Sequence, residues 1–144
     1  NVNVVLTRAV AISLGGAVSA SGLAAEIASV LGSDGVVRVG DVGLIAAVIV
    51  ITILLTELVT NTAAAALMVP VGLSAAAEAG VDPRSVAIAV LIGASCSFLS
   101  PIGYQTNLMV FGLGGYKFTD FARVGFPLTL STIVTATAMS TVLV

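Results

Sequence analysis

Residues 42–79 read VGLIAAVIVITILLTELVTNTAAAALMVPVGLSAAAEA. Two apolar arms, 42–59 and 63–79, flank the polar triplet Thr60-Asn61-Thr62. At 1.5 Å per residue each arm is roughly 26 Å long as a helix. The unit reads as two spans joined by a turn, or as a re-entrant hairpin whose tip stops inside a membrane. Length alone does not choose between them. Backbone at such a tip must be packed in protein or line a watery cavity. Thr52, Thr56 and Thr60 recur every four residues, so they are expected to share the face that leads to the tip. Glu57 lies one turn from it. An intramembrane carboxylate is a functional suspect, and its plainer reading is a helix-end charge held by hydrogen bonds.

The rest of the chain fits a membrane. Only 8% of its 144 residues are charged, and 58% are hydrophobic. A soluble domain carries about 25% charged residues. The net charge is −2, which leaves no basic patch for nucleic acid. There is no His, and Cys96 is the one cysteine, so neither a disulfide nor a His- or Cys-based enzyme is supported. The uncharged runs are 9–25, 42–56, 58–77, 85–116 and 124–144, and a span needs about 17–25 residues. Segment 44–55 is apolar all round, unlike the striped helix of a soluble protein.

Four units follow. Residues 4–31 give a span (4–21) and an interfacial helix (23–31), with Arg8 snorkelling to headgroups. Gly15, Gly16, Ser19 and Ala20 suit close helix packing. Residues 42–79 are the hairpin. Residues 85–114 are one discontinuous helix, broken over Ser100–Asn107, where Ser100-Pro101 alone would be a simple kink. Residues 125–144 are the last span, after an amphipathic link at 115–123 whose aromatics suit an interface. With a re-entrant hairpin, Arg8, Lys117 and Arg123 lie on one side and Arg38 and Arg84 on the other, which favours the first side as cytoplasmic. The start at Asn1, not Met, marks a piece of a longer protein. Gly112–Lys117 mimics a phosphate loop but follows no strand. Cys96 reads as a small packing residue.

A polar hairpin tip and an interrupted helix are the pattern of a transporter site at mid-membrane. Free carbonyls there suit Na⁺. Half-helices starting near Thr62 and Leu108 offer N–H groups to an anion. A structural membrane subunit explains the spans but not the two polar breaks.

Two stretches carry a resemblance. Thr56-Glu57-Leu58-Val59-Thr60-Asn61-Thr62-Ala63 with AAALMVP resembles the hairpin signature of the divalent-anion:sodium symporter family, the sodium–sulfate and dicarboxylate permeases. Ser95-Cys96-Ser97-Phe98-Leu99-Ser100-Pro101 through Asn107, then LMVFGLGGY, resembles the family's second signature. The resemblance implies an all-α integral membrane fold, here the second of two inverted repeats, with a re-entrant helical hairpin and a discontinuous helix. It implies a plasma (inner) membrane protein, a homodimer, and a missing N-terminal repeat that supplies half the site. It implies that Thr60, Asn61, Thr62, Tyr104, Gln105, Thr106 and Asn107 bind a small divalent anion, sulfate or dicarboxylate. It implies that Thr56, Thr60, Asn61 and Gly103 bind sodium, the coupling ion. Tyr104-Gln105-Thr106 stands where dicarboxylate members carry Thr-Pro-Pro, and the added donors tilt the expectation toward sulfate. The alternative within the superfamily is a cation/proton antiporter or arsenite-type permease using Glu57.

Overall fold

The structure is a computed structural model that describes residues 40–142 continuously, with Ala9, Ser13, Ala17, Ala20, Ser21 and Gly22 as isolated positions before them. The expected span and interfacial helix of 4–31, with Arg8 and most of the small-residue cluster, lie outside the described residues. The described chain is helical, without strands. Helix α1 covers Asp41–Thr56, α2 Asn61–Ala79, α3 Pro83–Ser95, α4 Gln105–Gly114 and α5 Phe118–Val142.

The turns follow from local chemistry. Thr60 has extended backbone and its hydroxyl accepts from Ala63 N at 3.3 Å, an N-cap. Thr60 therefore ends the turn after α1 instead of continuing the face of Thr52 and Thr56, which corrects the three-residue stripe. Gly80 closes α2 at φ 70°, with its N–H and that of Val81 on Ala76 O, a left-handed C-cap. Two residues later Asp82 caps α3, and Pro83 occupies its first turn, where a missing N–H costs nothing. The short 80–82 connection folds α3 back along α2 and α1.

Helices α1, α2, α3 and α5 make the main packing. Leu44, Ile45, Val48, Ile49, Thr52, Ile53 and Thr56 form the buried stripe of α1. Val50 and Leu54 on its other side are exposed. The sequence shows no stripe because both faces are apolar: one meets protein, and the other is left to lipid or to further protein. The buried stripe of α3 is Ser85, Val86, Ala89, Val90, Gly93 and Ala94. Gly93 lets it approach α1 closely, since a Cβ there would sit 2.9 Å from Thr52 Cβ and 3.1 Å from Ile49 O. Gly72 does the same for α2, with a Cβ position 2.9 Å from Val86 Cγ1.

Among the described residues, α2 alone is both long and apolar enough to cross a membrane unaided; α1 has 16 residues and α3 has 13. Helix α5 starts at Phe118, seven residues before the expected 125, because Asp120 accepts from Lys117 N at 2.8 Å and starts the helix there. The link shrinks to 115–117. Between α3 and α4 the chain is non-helical over 96–104, whereas the sequence predicts the interruption at 100–107. Helix α4 buries no residue. It leans on α5 through Phe111 and Phe121, edge to face at 6.0 Å.

Candidate functional site

The turn after α1 and the non-helical stretch 96–104 lie against each other. Thr56, fully buried, is the pivot. Its hydroxyl is 2.9 Å from Ala94 O and 2.8 Å from the Asn61 side-chain oxygen. One hydroxyl proton cannot serve both acceptors. Turning the Asn61 amide over satisfies the set: Nδ2 donates to Thr56, Thr56 donates to Ala94, and Oδ1 faces away from Thr56. Capture of Ala94 O takes a carbonyl from the last turn of α3, where orphan carbonyls need partners.

Glu57 makes the second tie. Its Oε1 accepts from Leu99 N at 2.8 Å. Its Oε2 is buried with no hydrogen-bond partner. Ser97 donates to Thr56 O at 3.5 Å, and Gly103 N–H donates to Ser100 Oγ at 3.2 Å. Asn107 Nδ2 donates to Ser97 O at 2.9 Å and to Ser100 O at 3.4 Å. These ties satisfy backbone groups that lost their helical partners, as buried non-helical backbone requires. On its other side the stretch meets α5. A Cβ on Gly125 would collide with Phe98 O and lie 3.1 Å from Leu99 N.

Above this layer is a cleft of about 380 Å³ lined by Leu58, Val59, Thr60, Asn61, Thr62, Ile102, Gly103, Tyr104 and Gln105. No charged side chain lines it. The N-termini of α2 and α4 both open onto it, at Asn61 and Gln105. Tyr104, the residue before α4, makes no side-chain cap, so nothing from that side chain covers the first N–H groups of α4.

Five of the seven residues expected to bind the anion therefore share the cleft: Thr60, Asn61, Thr62, Tyr104 and Gln105. Thr106 lies elsewhere, in a groove with Met109, Val110, Leu113 and Tyr116. One residue of helix turns the side chain through about 100°, which carries Thr106 away from Gln105. Asn107 turns inward and braces the loop. Of the expected sodium residues, Thr60, Asn61 and Gly103 line the cleft, and Thr56 lies beneath it, bonded to Asn61.

Two residues matter more here than the sequence indicates. Ser97, 4% exposed, reaches across to the α1 end; it stands in the second signature stretch, but the resemblance gives it no role there. Gly125 carries no motif, and its close approach to Phe98 is visible only in three dimensions.

Replacing the Thr60 cap by alanine is expected to destabilise α2's first turn by about 1 kcal/mol. Thermal unfolding of the full-length protein in detergent checks this: a lower midpoint is expected, and Thr60→Ser should restore it.

The family model for the sodium:sulfate symporter transmembrane region matches residues 1–143. An uncharacterized transporter of Synechocystis is 44% identical over 128 residues, 89% of this chain and 21% of its own length. Sodium/sulfate cotransporter 1 of Chlamydomonas reinhardtii is 38% identical over 125 residues, 87% of this chain and 14% of its length. A sodium-dependent dicarboxylate transporter of Staphylococcus saprophyticus is 34% identical over 90 residues, 60% of this chain and 17% of its length. The chain thus spans about a fifth or less of each of these relatives. With nearly every residue matched by the family model, this chain belongs to the sodium:sulfate symporter family of membrane transporters.

Proposed function

We propose that the parent protein couples sodium entry to uptake of a small divalent anion, and that this chain supplies one half of the site. The observation that carries the reading is the cleft: two helix N-termini open onto one cleft lined by neutral donors, with no fixed positive charge. Each terminus carries roughly half a positive charge, enough to attract an anion without holding it permanently. A bound cation supplies the rest. Thr56, Thr60, Asn61 and Gly103 are the proposed sodium residues, with Asn61 Oδ1 and nearby backbone carbonyls as hard oxygen donors. Thr60, Asn61, Thr62, Tyr104 and Gln105 are the proposed anion residues. Thr106 and Asn107 are reassigned to the wall of α4 and to bracing the loop.

In this reading 42–79 is a re-entrant hairpin and 85–114 a discontinuous helix. Their pairing supports the assignment, because α1 and α3 are each too short to cross a bilayer straight, at about 24 Å and 20 Å. Helix α4 exposes Leu108, Met109, Val110 and Leu113, a surface that fits lipid or the rest of the parent protein. The chain is read as the second of two inverted repeats in a homodimer of the plasma membrane.

Sulfate is favoured over dicarboxylate. Tyr104 and Gln105 add donors to the cleft, and sulfate presents acceptor oxygens on every side. The relatives' names include both anions. Counterflow of labelled sulfate and succinate by the full-length protein in sodium medium tests this. Sulfate exchange is expected, with Thr62→Ala raising the half-saturating sulfate concentration about tenfold, the cost of roughly one hydrogen bond to a charged ligand. Succinate exchange without sulfate exchange would sink the substrate assignment, and unchanged sulfate affinity in Thr62→Ala would sink that residue's role.

A further inference from the structure

We infer that Gly125 is a positioning residue for transport. It seats the Phe98–Leu99 peptide against α5, aims the Leu99 N–H at Glu57, and so fixes the end of α1 that carries one wall of the cleft. The inference rests on the anion-uptake reading for its transport readout alone.

Gly125 is buried in the early part of α5. Its backbone is not left-handed, so glycine is required there by space. The three atoms nearest to a Cβ would be Phe98 O, Phe98 C and Leu99 N, all of one peptide unit. The hydrogen that glycine carries in place of Cβ therefore points at that unit, a weak C–H···O contact with Phe98 O. Backbone cannot move aside as the end of a flexible side chain does. The Phe98 side chain is itself packed on the core, which holds the peptide from its other attachment.

The same peptide unit makes the bond to α1. Its N–H donates to Glu57 Oε1 at 2.8 Å, and a charged acceptor makes such a bond strong. The peptide is planar, so whatever seats the plane sets where its N–H points. Glu57 is followed directly by Leu58, Val59, Thr60, Asn61 and Thr62, one wall of the cleft. Three residues beyond Leu99 begin Ile102, Gly103, Tyr104 and Gln105, the facing wall. The other described ties from the end of α1, to Ala94 O and from Ser97, lie farther along the chain from both walls. The Glu57–Leu99 bond thus sets the spacing of the walls most directly, and Gly125 seats its donor. Helix α5 gains a part in cleft geometry although none of its residues lines the cleft.

The test uses the full-length protein carrying Gly125→Ala, Glu57→Gln, or both. Two quantities are read: hydrogen exchange along the chain, and the sulfate concentration for half-maximal uptake in sodium. Gly125→Ala should speed exchange over 96–104 while α2 and α3 keep parent rates. It should also raise half-saturating sulfate about tenfold, the effect of one hydrogen bond to a charged group. Glu57→Gln leaves Leu99 only a neutral acceptor, so it should speed exchange in the same stretch. The double variant should be no worse than the worse single one, because changes acting through one bond do not add. Parent exchange and parent sulfate affinity in Gly125→Ala would overturn the inference. Faster exchange throughout α2 and α3, or effects of the two substitutions that multiply, would show a general packing role and overturn it too. Where Gly125→Ala fails to insert, Glu57→Gln decides: unchanged exchange over 96–104 would break the link through Leu99. Absence of sulfate uptake by the parent would sink the transport reading, while the exchange rates still judge the tie from Gly125 to Glu57.

Discussion

Asn61→Ala in the full-length protein is expected to reduce sodium-dependent anion uptake about a hundredfold while leaving membrane insertion intact. Asn61 is half-buried at the first position of α2, on the cleft and against Thr56. Alanine is a good helix former, so the helix itself should not suffer. What goes is the amide. Thr56 loses one partner but keeps Ala94 O, and the proposed ion loses an oxygen donor. Losing only an outer partner of a metal site typically costs about 10–100-fold in affinity, and a direct donor should cost at least as much. Surface labelling measures insertion, and uptake in sodium against choline measures coupling. Full coupling in Asn61→Ala would remove this residue from the sodium site.

Gly103→Ala is expected to reduce uptake to below about a tenth of the parent. The backbone of Gly103 is not left-handed, so the requirement for glycine is one of space. An added Cβ would collide with Ser97 Oγ and press on Glu57 Oε2 and Thr56 O. Overpacking of a tight site costs about 1–3 kcal/mol. Here the strain falls where the end of α1 meets the 96–104 stretch. Gly112→Ala is the control, because a Cβ there meets nothing within 4 Å. Uptake by Gly112→Ala should match the parent. Equal uptake in both variants would mean that the close approach around Gly103 has no bearing on transport.

The two polar interruptions were legible because charge is so sparse. In a chain with twelve charged residues, Thr60-Asn61-Thr62 and Ser100–Asn107 stand out as polar breaks in apolar runs. Their pairing in space was implied by the pattern of a polar tip with a broken helix and by the resemblance. The helix ends were less legible, because tertiary hydrogen bonds set them. Helix α3 stops at Ser95, before the polar run begins, since Thr56 takes Ala94 O and Glu57 takes Leu99 N. Thr60 reads in the sequence as a tip residue that continues the face of Thr52 and Thr56, and the structure makes it a cap. The resemblance grouped Thr106 with Gln105, and helical geometry sets them in different pockets. The buried stripe of α1 was hidden because an apolar helix in an apolar solvent carries no contrast between its faces.

Sodium coupling is tested most directly in proteoliposomes of the full-length protein, with an inward sodium gradient as the only driving force. Labelled sulfate should accumulate above its outside concentration, and the accumulation should collapse when choline replaces sodium or when Asn61 is alanine. Accumulation that is the same in choline as in sodium would contradict the coupling of this cleft to sodium.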